Sequence, residues 1–307
     1  MPSPTERQAH IDVGLTNVSI AYRNQSYIAD QVFPTISVPK ATNYYWIFTK
    51  ADWLRNEVAV RAPGTRARRV DFTLSKQPYV CVEQALSKGV TDELQKMADE
   101  PLRPMITATE YVTDQILKAV EIEVLGNVFG TGWSSSATPG TLWSSDASDP
   151  LGDIETGVYT IAKAIGREPN VGVIGRSLWR YLRNHPDVID RVKYGAAPGN
   201  PARATGDALA ALVGLDKVLI APSIYDSAQE GAASSVDFVA GSHMWLGYVA
   251  PGAALETPSA GYVFQYLTRE VNRYREDQEH QDVVEARMSW DTVITAADAG
   301  YLIKSAA

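Results

Sequence analysis

The chain has 307 residues, of which 45% are hydrophobic and 21% charged, and its formal net charge at pH 7 is −8. This composition excludes a mainly disordered chain, and the single cysteine, Cys81, excludes an intramolecular disulfide and a zinc site built on paired thiolates. The negative charge disfavours broad binding of nucleic-acid phosphates, and no apolar run reaches the roughly 18 residues of a membrane span. We therefore expect a protein without a membrane partner that folds by packing alone, in the cytoplasm by default.

The N-terminal part of the sequence predicts an arm followed by a long β-hairpin. Residues 1–40 have few periodic signals, and we interpret them as an arm that packs on something else. Residues 41–90 are rich in aromatic and β-branched residues, carry a turn signal at 62–65, and alternate in character from Val70 to Leu74. These features favour an extended hairpin, which is too long to bury both faces on its own chain.

The predicted hairpin also differs from the rest of the chain in charge. It holds eight basic and four acidic residues, a net +4, which leaves −12 on the other residues because the whole chain carries −8. We expect its basic and aromatic side chains to contact a neighbouring subunit, where exposed aromatics suit an interface and basic groups meet acidic surface. The proposed intersubunit contacts are Arg66, Arg68, Arg69, Tyr44, Trp46 and Trp53.

A long helix is predicted over residues 105–128. An apolar residue recurs every fourth position, and Gly130 follows where a helix would stop. We expect this apolar stripe to lie on a sheet, and the opposite face, which includes Glu121, to tolerate substitution. The stripe consists of Val112, Ile116, Val120, Val124 and Val128.

The composition of residues 131–150 predicts an exposed loop. The pattern of the remaining chain predicts an α/β unit, followed by strands that pack back on the long helix. Between 151 and 250, helical and strand patterns alternate, which indicates an α/β subdomain. From 251 to 307 the pattern turns back to strands, and we expect these strands to pack on the long helix. The fold class is therefore α+β. The predicted helices of the α/β unit are 153–165, 177–184 and 207–213, and its strands are 170–174 and 218–221.

The sequence offers no motif for catalysis, so we predict no catalytic and no cofactor-binding residue. It has no phosphate-binding glycine–lysine loop, no H-E-x-x-H zinc motif and no dinucleotide-binding G-x-G-x-x-G. Ser177 follows a predicted strand as in a nucleophile elbow, but Trp179 occupies a position that needs a small residue. We interpret Ser177 as a residue near a helix N-cap, and His185, before Pro186, as a cation at a helix end.

Two further features have plain structural interpretations. Cys81 lies in a β-like stretch, where a free thiol behaves as a small hydrophobic group. The acidic run at 276–282 lacks the spacing of a calcium loop, and the four histidines occur singly, so we predict no metal site. A solvated turn, or an electrostatic partner for a basic element, fits the acidic run better.

The order of these parts resembles that of the major capsid proteins of tailed bacteriophages, whose Hong Kong 97-type capsid fold is shared with encapsulins. The stretches that carry the resemblance most specifically are 170–174 through 182–186, and 218–221 followed by 241–249. The resemblance implies an N-terminal arm, an extended β-hairpin called the E-loop, a long spine helix in a peripheral P domain and an α/β axial A domain. The corresponding residues are 1–40 for the arm, 41–90 for the E-loop, 91–150 and 251–307 for the P domain with its spine helix at 105–128, and 151–250 for the A domain.

The resemblance implies a structural protein that binds itself in hexamers and pentamers. The product would be the icosahedral shell of a tailed-phage head, assembled in the host cytoplasm and enclosing double-stranded DNA without sequence-specific binding. About forty residues precede the hairpin, so any scaffolding would come from a separate protein. Scaffolding, portal and decoration proteins are thus further candidate partners. Lys50 and Lys76 lie in the hairpin, but nothing identifies an Asn partner, and we predict no cross-linking.

Two alternatives remain open at the level of the sequence. An encapsulin-like compartment would use the same fold to enclose enzyme cargo. An enzyme of the α/β class would use residues 151–250 as its catalytic unit, although no reactive constellation is found there.

Overall fold

The computed structural model describes residues 27–48, 50–97, 103–195, 204–229, 231–252 and 258–307. Most of the predicted arm therefore lies outside the described residues. The described helices are α1 Ala29–Val32, α2 Lys50–Leu54, α3 Asp92–Met97, α4 Pro104–Val128, α5 Pro150–Ile165, α6 Arg176–Leu182, α7 Pro186–Gly195 and α8 Gly206–Val213. The described strands are β1 Thr35–Ser37, β2 Thr42–Phe48, β3 Leu74–Val80, β4 Val82–Thr91, β5 Ser135–Ala137, β6 Val171–Gly175, β7 Lys217–Ala221, β8 Ile224–Asp226, β9 Val236–Phe238, β10 Met244–Gly247, β11 Gly261–Glu276, β12 Gln281–Ile294 and β13 Gly300–Ile303.

A four-stranded sheet with the order β1-β11-β12-β4 forms one layer of the molecule. The returning strands predicted after residue 261 are confirmed, and they merge into two long antiparallel strands, β11 and β12. β4 pairs antiparallel with β12, so that Val82 lies opposite Trp290 and Thr91 opposite Gln281. The sheet is therefore assembled from segments almost 200 residues apart in the chain.

The predicted hairpin is shorter than residues 41–90. β2 pairs with β3 from Thr42–Val80 to Phe48–Leu74, and the chain from Val82 onward belongs to the four-stranded sheet. Residues 55–73 form no regular strand, because no neighbouring strand supplies hydrogen-bond partners there. The predicted turn is confirmed, since the Thr65 N–H donates to the Ala62 carbonyl at 3.2 Å.

The long helix is confirmed as α4 and packs on β12 and β4. Val112, Ile116, Val124 and Val128 are buried in the principal core, whereas Val120 is partly buried at its margin. The Trp290 indole N–H donates to Glu123 at 2.8 Å and ties the helix to β12.

The expectation that Glu121 lies on an open face of the helix is wrong, because its side chain is fully buried. Its carboxylate accepts hydrogen bonds from Ile28, Ala29 and Ser223, which lie far away in the sequence. Segments from two other parts of the chain thus cover the side of α4 that turns away from the sheet.

A second sheet has five strands in the order β5-β13-β10-β6-β7. β6 and β7 pair in parallel, and α5 to α8 accompany this sheet, as expected of an α/β unit. β13 pairs with β10, however, so residues 300–303 belong to this sheet and not to the first one. This pairing corrects the assignment of all of 251–307 to the helix-bearing layer.

The two sheets share one core. Val173, Trp245 and Leu302 of the five-stranded sheet pack in the same cluster as Val124 of α4 and Val263 of β11. The neighbouring side chains Ile174 and Met244 face a second cluster with α5 and α6. Period-two alternation along the strands therefore divides the side chains between two cores. None of the described helices is long and apolar enough to cross a membrane.

Candidate functional site

The β2–β3 hairpin is fixed firmly at its root. Tyr79 and Cys81 are buried with Tyr262 and Phe264, and the rings of Tyr79 and Phe264 stack with centroids 4.6 Å apart. The Val80 N–H donates to an Asp291 carboxylate oxygen at 2.8 Å. The root is thereby held to β11 and β12.

Cys81 is part of this packing, and its surroundings do not activate its thiol as a nucleophile. Its thiol lies 3.4 Å from the Phe264 carbonyl oxygen, to which it donates. Burial raises the pKa of the Cys81 thiol, and the negative charge of Asp291 raises it further. A thiol held in its protonated form is a poor nucleophile, so Cys81 serves as a small hydrophobic residue.

The three aromatic residues proposed for intersubunit contact are exposed in the isolated chain. Tyr44 is 60% exposed, Trp46 55% and Trp53 58%. Strand alternation explains the first two, because Tyr45 between them turns inward and places its ring 5.7 Å from that of Phe264. The hairpin thus presents one aromatic face to solvent while its other face packs on the body.

The three proposed arginines lie on the loop between α2 and β3, and they are not equivalent. Arg68 forms an ion pair with Glu57, which also pairs with Arg55 at 3.4 Å. Arg66 and Arg69 are exposed and form no ion pair with any residue that the structure describes. Arg66 and Arg69 therefore carry the charge that is available for a partner.

The hairpin touches the body a second time at its far end. We call this end, residues 50–73 between β2 and β3, the tip. The Lys50 ammonium lies 3.1 Å from an Asp298 carboxylate oxygen, and both side chains are largely solvated. A hydrogen bond from Ser134 and then the contact with Lys50 lower the pKa of the Asp298 carboxyl. An exposed pair of this kind contributes little to stability, so the tip is held far more weakly than the root.

Residues 277–280 of the acidic run form the predicted turn between β11 and β12, whereas Glu276, Gln281 and Asp282 lie in the strands themselves. Arg275 binds Asp92 through two hydrogen bonds and also pairs with Asp277 and Asp282. The Arg275 hydrogen bond is the main cause of the lowered pKa of Asp92. No group of three or more candidate metal ligands occurs in the described part of the chain.

An arrangement that the sequence analysis missed brings the buried Ser148 and His185 close to the exposed Asp187. The Ser148 hydroxyl oxygen lies 3.1 Å from His185 Nε2, and an Asp187 carboxylate oxygen lies 3.8 Å from His185 Nδ1. The Asp187 backbone N–H lies 3.4 Å from Nδ1, and the Ser148 hydroxyl donates to the Ser145 carbonyl at 2.8 Å. Because the Asp187 carboxylate is too far from Nδ1 for a hydrogen bond, the arrangement lacks the geometry of a catalytic triad.

His185 instead has a structural role that differs from the predicted one. It precedes Pro186, the first residue of α7, and its ring accepts from a backbone N–H of the first turn. The ring is buried, and its Nε2 also contacts the Ser145 carbonyl at 3.3 Å. His185 therefore caps the start of α7 and does not stabilise the end of the preceding helix as a cation.

Ser177 is not a helix cap either. The N-cap of α6 is Gly175, which leaves Ser177 as the second residue of the helix. A Cβ atom at Gly175 would lie 2.1 Å from the Gly241 carbonyl oxygen, so only glycine fits there. Trp179 and Leu182 are buried, as their apolar pattern predicted.

Comparison with curated proteins identifies relatives that match most of the chain. The chain is 27% identical over 303 residues to the "Major capsid protein" of Burkholderia phage BcepMu, a match that covers 95% of each protein. It is 26% identical over 238 residues to the "Major capsid protein" of Pseudomonas phage JBD67, covering 76% of this chain and 75% of that protein. No family model matches the sequence.

Comparison with solved structures finds proteins of similar fold. A phage-related protein from Bordetella bronchiseptica RB50 is 28% identical and superposes with a TM-score of 0.75, covering 96% of this chain and 97% of that one. The mature capsid of bacteriophage PhiM1 superposes with a TM-score of 0.62 at 13% identity, covering 92% and 88%. A virus-like particle from Pyrococcus furiosus superposes with a TM-score of 0.55 at 9% identity, covering 94% and 96%. The last two likenesses concern the fold alone.

Proposed function

We propose that this chain, a relative of phage major capsid proteins with the Hong Kong 97-type capsid fold, builds the shell of a tailed-phage head by binding copies of itself. The observation that carries this conclusion is the match to a major capsid protein over 95% of both chains. Such coverage includes the hairpin, the long helix and both sheets. The likeness therefore concerns the whole architecture and not one widespread subdomain.

The geometry of the hairpin supports a role that needs neighbouring subunits. Its root is buried against β11 and β12, but Tyr44 and Trp46 expose more than half of their area. Large exposed aromatic surface is a liability on a monomer and is typical of the centre of an interface. Arg66 and Arg69 add positive charge without an ion-pair partner among the described residues. The hairpin acts as an E-loop that lies across acidic surface of the next subunit.

The same function assigns roles to the two sheets. The four-stranded sheet with α4 forms a peripheral P domain, and the five-stranded sheet with α5 to α8 forms an axial A domain. Subunits join in hexamers and pentamers to close an icosahedral shell around double-stranded DNA. A chain with a net charge of −8 does not bind the packaged DNA strongly, which leaves the genome free to enter and leave.

The shell is assembled in the host cytoplasm and becomes part of the virion. Separate scaffolding, portal and decoration proteins are the partners that such an assembly would use besides further copies of this chain. The chain itself acts as a structural protein without catalytic residues. In support, the described Ser148 and His185 side chains are used in buried hydrogen bonds.

Electron microscopy of the purified, full-length protein tests this function. We expect large capsid-like shells or tubes, because the protein supplies the contacts of a closed lattice. Small closed cages that contain co-purified enzyme would favour an encapsulin-like compartment. Discrete oligomers that never form a shell under any ionic condition would contradict the proposed function.

A further inference from the structure

A buried carboxylate at Glu121 joins three separate parts of the chain. Glu121 lies in the middle of α4 and is fully buried. One of its oxygens accepts from the backbone N–H groups of Ile28 at 3.0 Å and Ala29 at 2.7 Å. The other oxygen accepts from the Ser223 hydroxyl at 2.6 Å, in the segment that follows β7. The N-terminal segment, the long helix and the second sheet thus meet at one side chain.

The three hydrogen-bond donors to Glu121 among the described residues are electrically neutral. Neutral donors compensate only part of the cost of burying an ionised carboxylate. A protonated carboxyl would keep every contact, because one oxygen could donate to the Ser223 hydroxyl oxygen while the other still accepts from Ile28 and Ala29. The site therefore fits a neutral carboxyl as well as it fits an ionised one, and at a lower cost of desolvation.

Among the residues that the structure describes, no basic side chain forms an ion pair with Glu121. The N-terminal segment contributes Asp30, which is negative and exposed. On α4, Asp114 lies two turns before Glu121 and Lys118 one turn before it, and these two residues pair with each other at 3.9 Å. β7 contributes Lys217, whose ammonium donates to the Gln31 carbonyl at 3.1 Å.

We propose that Glu121 is a proton-sensitive clasp that fixes residues 27–31 of the N-terminal segment to the junction of the two sheets. With its proton, the clasp is closed and residues 27–31 stay fixed to the body. Without the proton, the buried charge favours an opening that lets water reach the carboxylate, and this opening loosens residues 27–31. The buried Val32 and Phe33 hold the segment after them in either state.

The direction of the pH effect follows from the burial of Glu121. Burial raises the pKa of the Glu121 carboxyl, the hydrogen bonds from Ser223, Ala29 and Ile28 lower it in part, and Asp30 raises it. In the open state, water returns the carboxyl towards its ordinary pKa. The closed state therefore binds more protons than the open state. Its free-energy advantage over the open state decreases as the pH rises from the ordinary pKa of the carboxyl to the raised pKa.

Hydrogen exchange of the full-length, unassembled subunit tests this proposal, since the readout does not depend on shell formation. We expect the amides of residues 27–31, after correction for intrinsic exchange, to lose protection as the pH is raised above the ordinary pKa of a glutamate carboxyl. The loss should reach about tenfold for each unit by which the closed-state pKa exceeds the open-state pKa. Residues 171–175, in the centre of the second sheet, should show no such loss.

Two substitutions make the test specific. Glu121→Gln replaces the carboxyl with a neutral amide that can accept from Ile28 and Ala29 and donate to Ser223, so protection of 27–31 should stay high at every pH. Asp30→Asn removes a neighbouring carboxyl that does not form the clasp and should keep most of the pH effect. A pH-independent wild-type protein, or a Glu121→Gln variant with the wild-type pH effect, would overturn the proposal.

Discussion

Ser177 and His185 are polar residues whose roles depend on where a helix begins. Ser177 lies two positions past the N-cap of α6, and His185 lies directly before the first residue of α7. A shift of one or two residues along the chain therefore decides whether a side chain meets a free backbone N–H group. Sequence alone leaves such boundaries uncertain by one or two residues.

The position of Ser177 gives a prediction for stability. Ser177→Ala removes no capping hydrogen bond, so we expect the free energy of unfolding to change by no more than about 0.5 kcal/mol. Leu182→Ala in the same helix should cost about 2–5 kcal/mol, because Leu182 is fully buried and the substitution leaves a cavity. Urea unfolding of the unassembled subunits measures both changes. A loss well above 1 kcal/mol in Ser177→Ala would show that its hydroxyl has a structural partner.

At the scale of the element, α4 shows how a helix can be buried on more than one side. Its valine stripe packs on the four-stranded sheet, as the four-residue spacing predicted. Its other side is covered at Glu121 by residues 28–29 and by Ser223, which no local pattern could reveal. Valine is a middling helix former, so packing on both sides must stabilise this helix.

Two substitutions in α4 should differ in their effect. Val124→Asp places an unpaired carboxylate at a fully buried position, and we expect insoluble subunit because the cost of several kcal/mol exceeds what a domain can absorb. Val120→Asp should be milder, because Val120 lies at the margin of the core and its carboxylate can reach water. The soluble fraction after expression measures the difference. Equal solubility of the two variants would contradict this placement of the helix.

At the scale of the whole molecule, the hairpin combines a rigid root with a solvated tip. The root is buried with Tyr262 and Phe264, whereas the tip contacts the body through the exposed Lys50–Asp298 pair. Positive charge on this tip and negative charge elsewhere suit contacts between copies, since complementary charge guides association.

This distribution of charge predicts the effect of a double substitution. Arg66→Glu with Arg69→Glu should reduce the yield of shells at low salt while the subunit stays folded, because both side chains are exposed. Arg68 is left unchanged since its ion pair with Glu57 belongs to the loop itself. Arg66→Lys with Arg69→Lys keeps the charge and should assemble nearly as the wild type does. Particle yield by sedimentation measures the effect, and a normal yield from the glutamate variant would exclude this contact.

The sequence by itself determined the elements whose signal is local. The four-residue stripe predicted α4, the alternation after residue 261 predicted β11 and β12, and the glycine turn at 62–65 predicted the centre of the hairpin loop. These predictions hold because periodicity and turn chemistry depend on neighbours a few residues away.

The tertiary structure decided what the local signals leave open, namely which partner each segment takes. Strand β4 has the composition of a hairpin strand but pairs with β12, and β13 joins the second sheet because β10 offers it a free edge. Glu121 resembles a surface residue in the sequence and is buried because remote donors converge on it. Strand pairing and the burial of a polar group both depend on contacts between distant segments, and only the folded chain brings those segments together.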